Sequence, residues 1–187
     1  MRIISGSFKG KKIIQPQDQT TRPLKDLVKE SIFNILNHSN KFEFNIEEAK
    51  ILDLFSGVGS FGIECLSRKA KYLTFVENYP LTVNILKKNL FNLGDIKNYE
   101  IIERDIYKNN CLENLRYKYD LIFIDPPYAQ KNINIIFEFI YKNKTLKKNG
   151  IIIIHRNKKK IDDFPNFLEI IEKKTYGISE ITFCKLV

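Results

Sequence analysis

Residues 50 to 62 read Lys50-Ile51-Leu52-Asp53-Leu54-Phe55-Ser56-Gly57-Val58-Gly59-Ser60-Phe61-Gly62. An apolar run ends in a carboxylate and passes into glycines spaced as Gly-x-Gly-x-x-Gly. That order predicts a strand, a tight turn and the start of a helix, because glycine turns where a Cβ would clash and lets a ligand approach the backbone. A second apolar run ends in Glu77, about 20 residues after Gly57, where a carboxylate can accept both hydroxyls of a ribose. Taken alone, this pattern is equally a dinucleotide-binding fingerprint.

Outward from this stretch the chain alternates. Short runs rich in Ile, Leu and Phe predict strands at 50–55, 71–77, 99–104, 119–124 and 150–155. Helices are predicted at 59–69, 80–93, 111–116 and 131–144, with Asn78 and Pro80 giving the second a cap-like start. Such alternation implies an α/β fold with a doubly wound, mostly parallel sheet. Residues 167–174 and 181–187 flank Tyr176-Gly177 and predict an antiparallel hairpin added to that sheet. Before the glycine loop, residues 1–15 alternate weakly around Gly6 and Gly10, as in a short hairpin with a basic exposed side. Leu24, Val28, Ile32, Ile35 and Leu36 recur at three- and four-residue spacing and predict an amphipathic helix over 24–37. The polar stretch 38–46 reads as a linker. Residues 1–45 are thus expected to form an N-terminal extension, and 46–187 the main domain.

At 187 residues the chain is long enough for one domain with an ordinary core. Its 31 Lys and Arg outnumber 22 Asp and Glu, a net charge of +9 that favours a polyanionic partner. The bland alternative is a composition bias toward Ile, Lys and Asn. Cys65, Cys111 and Cys184 are scattered and form no Cys-x-x-Cys pair, so neither a disulfide framework nor a zinc site is indicated. His38 and His155, the only histidines, suffice for neither a metal site nor a Ser-His-Asp triad. No apolar signal core opens the chain and no apolar run reaches membrane-spanning length, so a cytoplasmic protein is expected.

Leu121-Ile122-Phe123-Ile124 leads into Asp125-Pro126-Pro127-Tyr128. Two prolines fix the backbone and donate no N–H, and an ionised carboxylate only accepts. A planar nitrogen base could therefore stack on Tyr128 while its exocyclic NH₂ donates to Asp125 and to the Pro126 carbonyl. Such an amine is a poor nucleophile until its N–H bonds are engaged and it lies in line with a methyl donor. Asp53 would repel a pyrophosphate and welcome the sulfonium and ammonium of S-adenosylmethionine. Asp105, after the third strand, could accept from an adenine amino group while the Ile106 N–H donates to the ring. Asp53, Glu77, Asp105 and Asp125 thus stand at successive strand ends, where ligands of open α/β sheets lie. Four solvated strand-end acids would be the ordinary reading of each alone.

The chain resembles the RsmD family of bacterial 16S rRNA guanine-N2 methyltransferases. The resemblance runs through Arg2-Ile3-Ile4-Ser5-Gly6-Ser7-Phe8-Lys9-Gly10, Thr21-Arg22-Pro23 with Asp26, Val28 to Leu36, the glycine loop, Phe75-Val76-Glu77, Asp125 to Tyr128 and Tyr176-Gly177. It implies a Rossmann-like class I S-adenosylmethionine-dependent methyltransferase fold, with a seven-stranded sheet and a small N-terminal hairpin and helix. It implies that Asp53, Phe55, Gly57, Gly59, Glu77, Asp105, Ile106 and Asp125 hold S-adenosylmethionine, and that Asp125, Pro126 and Tyr128 hold the target base. Arg2, Lys9, Lys11, Lys12, Arg22 and Lys25 would meet phosphates of 16S rRNA in the small subunit or its assembly intermediate. A monomer is expected. Members often carry a glutamate near the end of the fifth strand, where this chain has Ile154-His155-Arg156, and His155 reads as a half-buried strand-end residue. Lys158-Lys159-Lys160 and Lys142, Lys144, Lys147 and Lys148 read as solvated faces. DNA adenine-N6 methylation, a non-catalytic ribosome-assembly or RNA-binding module and an NAD-dependent enzyme are the competing readings.

Overall fold

The apolar runs are continuous because both faces of the sheet are covered. The computed structural model describes residues 1–16, 24–108, 112–113, 115–127, 132–160 and 162–187. Among these, seven strands form one sheet: β1 (Lys50–Leu54), β2 (Tyr72–Val76), β3 (Tyr99–Ile102), β4 (Tyr119–Ile124), β5 (Leu146–Asn157), β6 (Leu168–Tyr176) and β7 (Ser179–Leu186). Side chains alternate across a strand. Ile51, Leu121, Phe123, Ile151 and Ile153 accordingly enter one buried cluster, and Leu52, Ile122, Ile124, Ile152 and Ile154 enter the other. Helices α1 (Asp26–His38), α2 (Ser60–Ser67) and α3 (Pro80–Phe91) bury their apolar residues in the first cluster, and α4 (Asn134–Lys142) in the second.

The strand order is β3-β2-β1-β4-β5-β7-β6, with β7 alone antiparallel to its neighbours β5 and β6. The chain winds outward from β1 to β3, then returns to place β4 on the other side of β1. A crevice opens at such a reversal beyond the carboxyl ends of the strands. The sheet and its C-terminal hairpin match the sequence expectation. Helix α3 begins at Pro80 as predicted, but its N-cap is Tyr79, and the N–H groups of Asn78 and Tyr79 donate to Glu77 Oε1 at 2.9 Å. A carboxylate at a helix N-terminus is favoured by the macrodipole, so Glu77 takes the capping role that the sequence suggested for Asn78.

Two expectations fail. Leu112 and Arg116 lie in bends, Glu113 in a turn and Leu115 in irregular backbone, rather than in the helix predicted at 111–116. Only one full turn of apolar spacing is available there, too little to meet the cost of helix nucleation; Cys111 lies outside the described residues. The stretch 38–46 is also more than a polar linker, since Phe42 is buried against Phe183 of β7 with ring centroids 5.5 Å apart.

The N-terminal segment is tied down by buried charge. Arg2 bridges Lys12, and the Ile3 and Gly10 N–H groups donate to Lys11 O and Ile3 O at 2.9 Å. Glu64 of α2, fully buried, accepts the N–H groups of Ile4 and Ser5 at 2.8 and 2.9 Å. Lys29 of α1, also fully buried, lies 3.5 Å from Glu64 and donates to Arg2 O at 2.9 Å. Burial lowers the Lys29 pKa while Glu64 and Asp26 oppose that shift. Burying a charge without such partners costs several kcal/mol, so this network specifies where residues 1–13 sit. Ile3, Ile13 and Leu24 share their core cluster with Phe61 and Phe123.

Candidate active site

Beyond β1 the chain turns through Phe55 at φ 59°, Gly57 at φ 54° and Gly59 at φ 85°. Left-handed backbone is costly for residues with a Cβ. At Gly59 a Cβ would also lie 2.4 Å from Leu86 Cδ1, so that side chain would have to shift. Gly62 serves packing instead: a Cβ there would meet the Phe75 ring at 2.2 Å and Asp53 Oδ2 at 3.0 Å. With that space open, the Gly62 N–H donates to Asp53 Oδ2 at 3.0 Å. The loop is closed by Glu77, whose Oε2 accepts the Gly57 N–H at 2.7 Å.

Asp53 is 1% exposed. Burial pushes its carboxyl well above the ordinary range; the Gly62 hydrogen bond opposes this, and the charges of Asp125 and Glu77 add to it. Asp125 follows β4 directly, its N–H reaching Leu54 O at 3.3 Å. Its Oδ1 lies 2.8 Å from Nδ1 of His155. An ionised carboxylate can only accept, so Nδ1 is the donor.

These groups surround a cavity of about 620 Å³. Asp53, Phe55, Gly57, Glu77, Asp125 and Pro126 line it, along with His155 and the stacked pair Phe61 and Phe123, 4.0 Å apart. That volume falls in the range of small-molecule sites. Asp105 and Ile106 are not among the described lining residues. Strand β3 ends at Ile102, and Asp105 Oδ1 accepts the Tyr107 N–H at 3.0 Å in a local turn whose Tyr107 ring lies 5.7 Å from Phe55. Of the four strand-end acids, three converge on one cavity. Tyr128 and Arg22 lie outside the described residues.

A family model described as Conserved hypothetical protein 95 matches residues 1–185. Ribosomal RNA small subunit methyltransferase D of Buchnera aphidicola (from Acyrthosiphon pisum) is 36% identical over 173 residues, covering 92% of this chain and 86% of that protein. The chain belongs to the RsmD family. The Haemophilus influenzae protein of the same name is 32% identical over 183 residues, 95% of this chain and 90% of that one. The solved structure of yhhF from Escherichia coli superposes with a TM-score of 0.80 at 24% identity, over all of this chain and 97% of that one. The fold is therefore the class I methyltransferase fold of the RsmD family.

Within this family frame, His155 corrects the sequence reading. It is 4% exposed, not half-buried, and its Nδ1 contacts Asp125 Oδ1. The strand register explains the contact: β4 and β5 are parallel with Ile124 opposite Ile154, so the next residues, 125 and 155, share a face. Sequence reasoning also missed Gln15, Pro16 and Leu24, which bring the N-terminal segment into the cavity wall. Asn89 of α3 holds that segment, accepting from Ile14 N at 2.8 Å and donating to Ile14 O and, in the glycine loop, Val58 O. The proposed RNA contacts Arg2, Lys9, Lys12 and Lys25 are exposed, whereas Lys11, also exposed, donates to Asn92 O at 3.2 Å. Lys142 and Lys147 pair with Glu138 and Asp120, as solvated faces do.

Proposed function

We propose that this protein methylates the exocyclic N2 amine of a guanine in 16S rRNA of the small subunit, using S-adenosylmethionine. It would act as a monomer in the cytoplasm. The observation that carries this reading is the placement of Asp125 and Pro126 beside buried Asp53 in one cavity at the sheet's reversal point. The names of the Buchnera and Haemophilus relatives support rRNA of the small subunit as the substrate class.

The cavity suits a cationic ligand. Asp53, Glu77 and Asp125 bring three carboxylates to its wall, and a pyrophosphate there would add to their repulsion. Gly57, Gly59 and Phe55 would shape the bed for S-adenosylmethionine and Glu77 would accept ribose hydroxyls; Asp105 and Ile106, outside the described lining, are assigned no contact in this reading. Bound in this way, the cofactor supplies an electrophilic methyl group. The chain's own task is to make the amine reactive. Asp125 and the Pro126 carbonyl accept its two N–H bonds, which favours a tetrahedral nitrogen bearing a lone pair, and Tyr128 stacks the guanine, a contact worth about 1–3 kcal/mol per base.

The test is transfer of labelled methyl to small subunits or rRNA from cells lacking this enzyme, followed by digestion to nucleosides. N2-methylguanosine is the expected product. Asp125→Ala is expected to lower turnover about 10²–10⁴-fold, the range of positioned acid–base groups, while the cofactor still raises the melting temperature. Undiminished turnover in that variant, or N6-methyladenosine in duplex DNA as the main product, would refute this reading.

A further inference from the structure

His155 has no role in the reading above, yet its Nδ1 lies 2.8 Å from Asp125 Oδ1. We infer that His155 is a positioning residue that acts through Asp125: its Nδ1–H holds one carboxylate oxygen so that the other faces the target amine. The inference rests on Asp125 being the group that receives that amine.

The terminal torsion of an aspartate is broad and roughly two-fold, so rotamer preference alone does not aim its oxygens. One contact removes that freedom here: Oδ1 is 2.8 Å from Nδ1 of the His155 ring, while the Asp125 N–H, 3.3 Å from Leu54 O, holds the backbone from which the side chain projects. The ring cannot follow a wandering carboxylate. His155 is 4% exposed on β5, between β4 and β7, and its backbone is registered against Ile181. Residues 53, 125 and 155 also share one face of the sheet by strand alternation, which turns all three toward the cavity. With Oδ1 occupied by the imidazole, an incoming NH₂ has Oδ2 for one N–H and the Pro126 carbonyl for the other. His155 thereby selects one orientation of the amine. Misplacement of about 1 Å at a reacting centre costs roughly 100-fold in rate.

Two substitutions separate this from a packing role, since asparagine carries its amide nitrogen about where Nδ1 lies and glutamine carries it farther out. His155→Asn is expected to keep kcat within about tenfold of wild type. His155→Gln and His155→Phe are expected to lose about 100-fold in kcat, with the KM for RNA and the cofactor-induced rise in melting temperature unchanged. In an Asp125→Ala background His155→Phe should cost no more than about twofold further, because residues acting as a unit are non-additive. Wild-type kcat in His155→Phe, equal rates in the Asn and Gln variants, or an additive loss in the double variant would overturn the inference. Should His155→Phe fail to fold, the Asn and Gln pair still decides. Wild-type turnover in Asp125→Ala would instead bring down the methyl-transfer reading on which the inference rests.

Discussion

At the scale of single residues, the cation-binding role proposed for Asp53 conflicts with stability. Burial raises its pKa in the folded chain, so the folded state binds that proton more tightly than the unfolded state. Its contribution is complete below the unfolded value of about 3.9 and is lost as pH rises above it toward the raised folded value. The protein without cofactor is therefore expected to lose this part of its stability at neutral pH. Asp53→Asn keeps an acceptor for the Gly62 N–H and has no charge to bury. It is expected to melt higher than wild type at pH 7, by about 2–4 °C for each kcal/mol recovered, and to melt the same as wild type near pH 3. The cofactor should raise its melting temperature much less, because the carboxylate that favours a cation is gone. Melting curves across pH, with and without S-adenosylmethionine, check both halves; a variant stabilised by cofactor as strongly as wild type would remove Asp53 from the binding role.

At the scale of elements, the N-terminal segment is seated on α2 through Gly6, a position where only glycine fits. Gly6 has φ 83°, and a Cβ there would lie 1.9 Å from Ser67 O, the acceptor of the Ser7 N–H. Gly10 has a similar φ of 86° with open space around it. Gly6→Ala is expected to cost the overpacking penalty of about 1–3 kcal/mol in addition to backbone strain, whereas Gly10→Ala bears the strain alone. Thermal denaturation should rank wild type above Gly10→Ala and Gly10→Ala above Gly6→Ala. Because Gln15 and Pro16 line the cavity, the Gly6 variant should also bind cofactor more weakly. Equal melting temperatures for the two variants would mean that α2 does not fix the segment. This docking also explains why the segment's place was hard to read. Lys29 sits on the buried face of an amphipathic helix and Glu64 in the middle of an apolar one, where charge normally signals solvent, and nothing local reveals that the two meet.

At the scale of the molecule, a net charge of +9 makes binding to a polyanion dependent on salt. Lys9, Lys12 and Lys25 are exposed cations of the N-terminal region. Replacing all three with Gln is expected to reduce the slope of log affinity for an rRNA fragment against log salt by about 2, at about 0.7 per phosphate contact on single strands. Cofactor binding, measured by melting temperature, should not change. A slope equal to that of wild type would place the RNA on another face.

The alternation of strands and helices, the glycine turn, the acids at the strand ends and the Asp125-Pro126-Pro127 corner can all be read from the chain. These are legible because each depends on local chemistry: side-chain period, backbone freedom and the strand just before. Helix 111–116 was misread because a few apolar residues do not support a nucleus. Folding in three dimensions is what leaves Asp105 outside the described cavity wall, brings Gln15, Pro16 and Leu24 into it, and sets His155 against Asp125. Those facts join residues 30 or more positions apart, through the register of parallel strands and the docking of a segment on buried charge. Such pairings are set by which surfaces the whole fold brings together, and no stretch of sequence carries them alone.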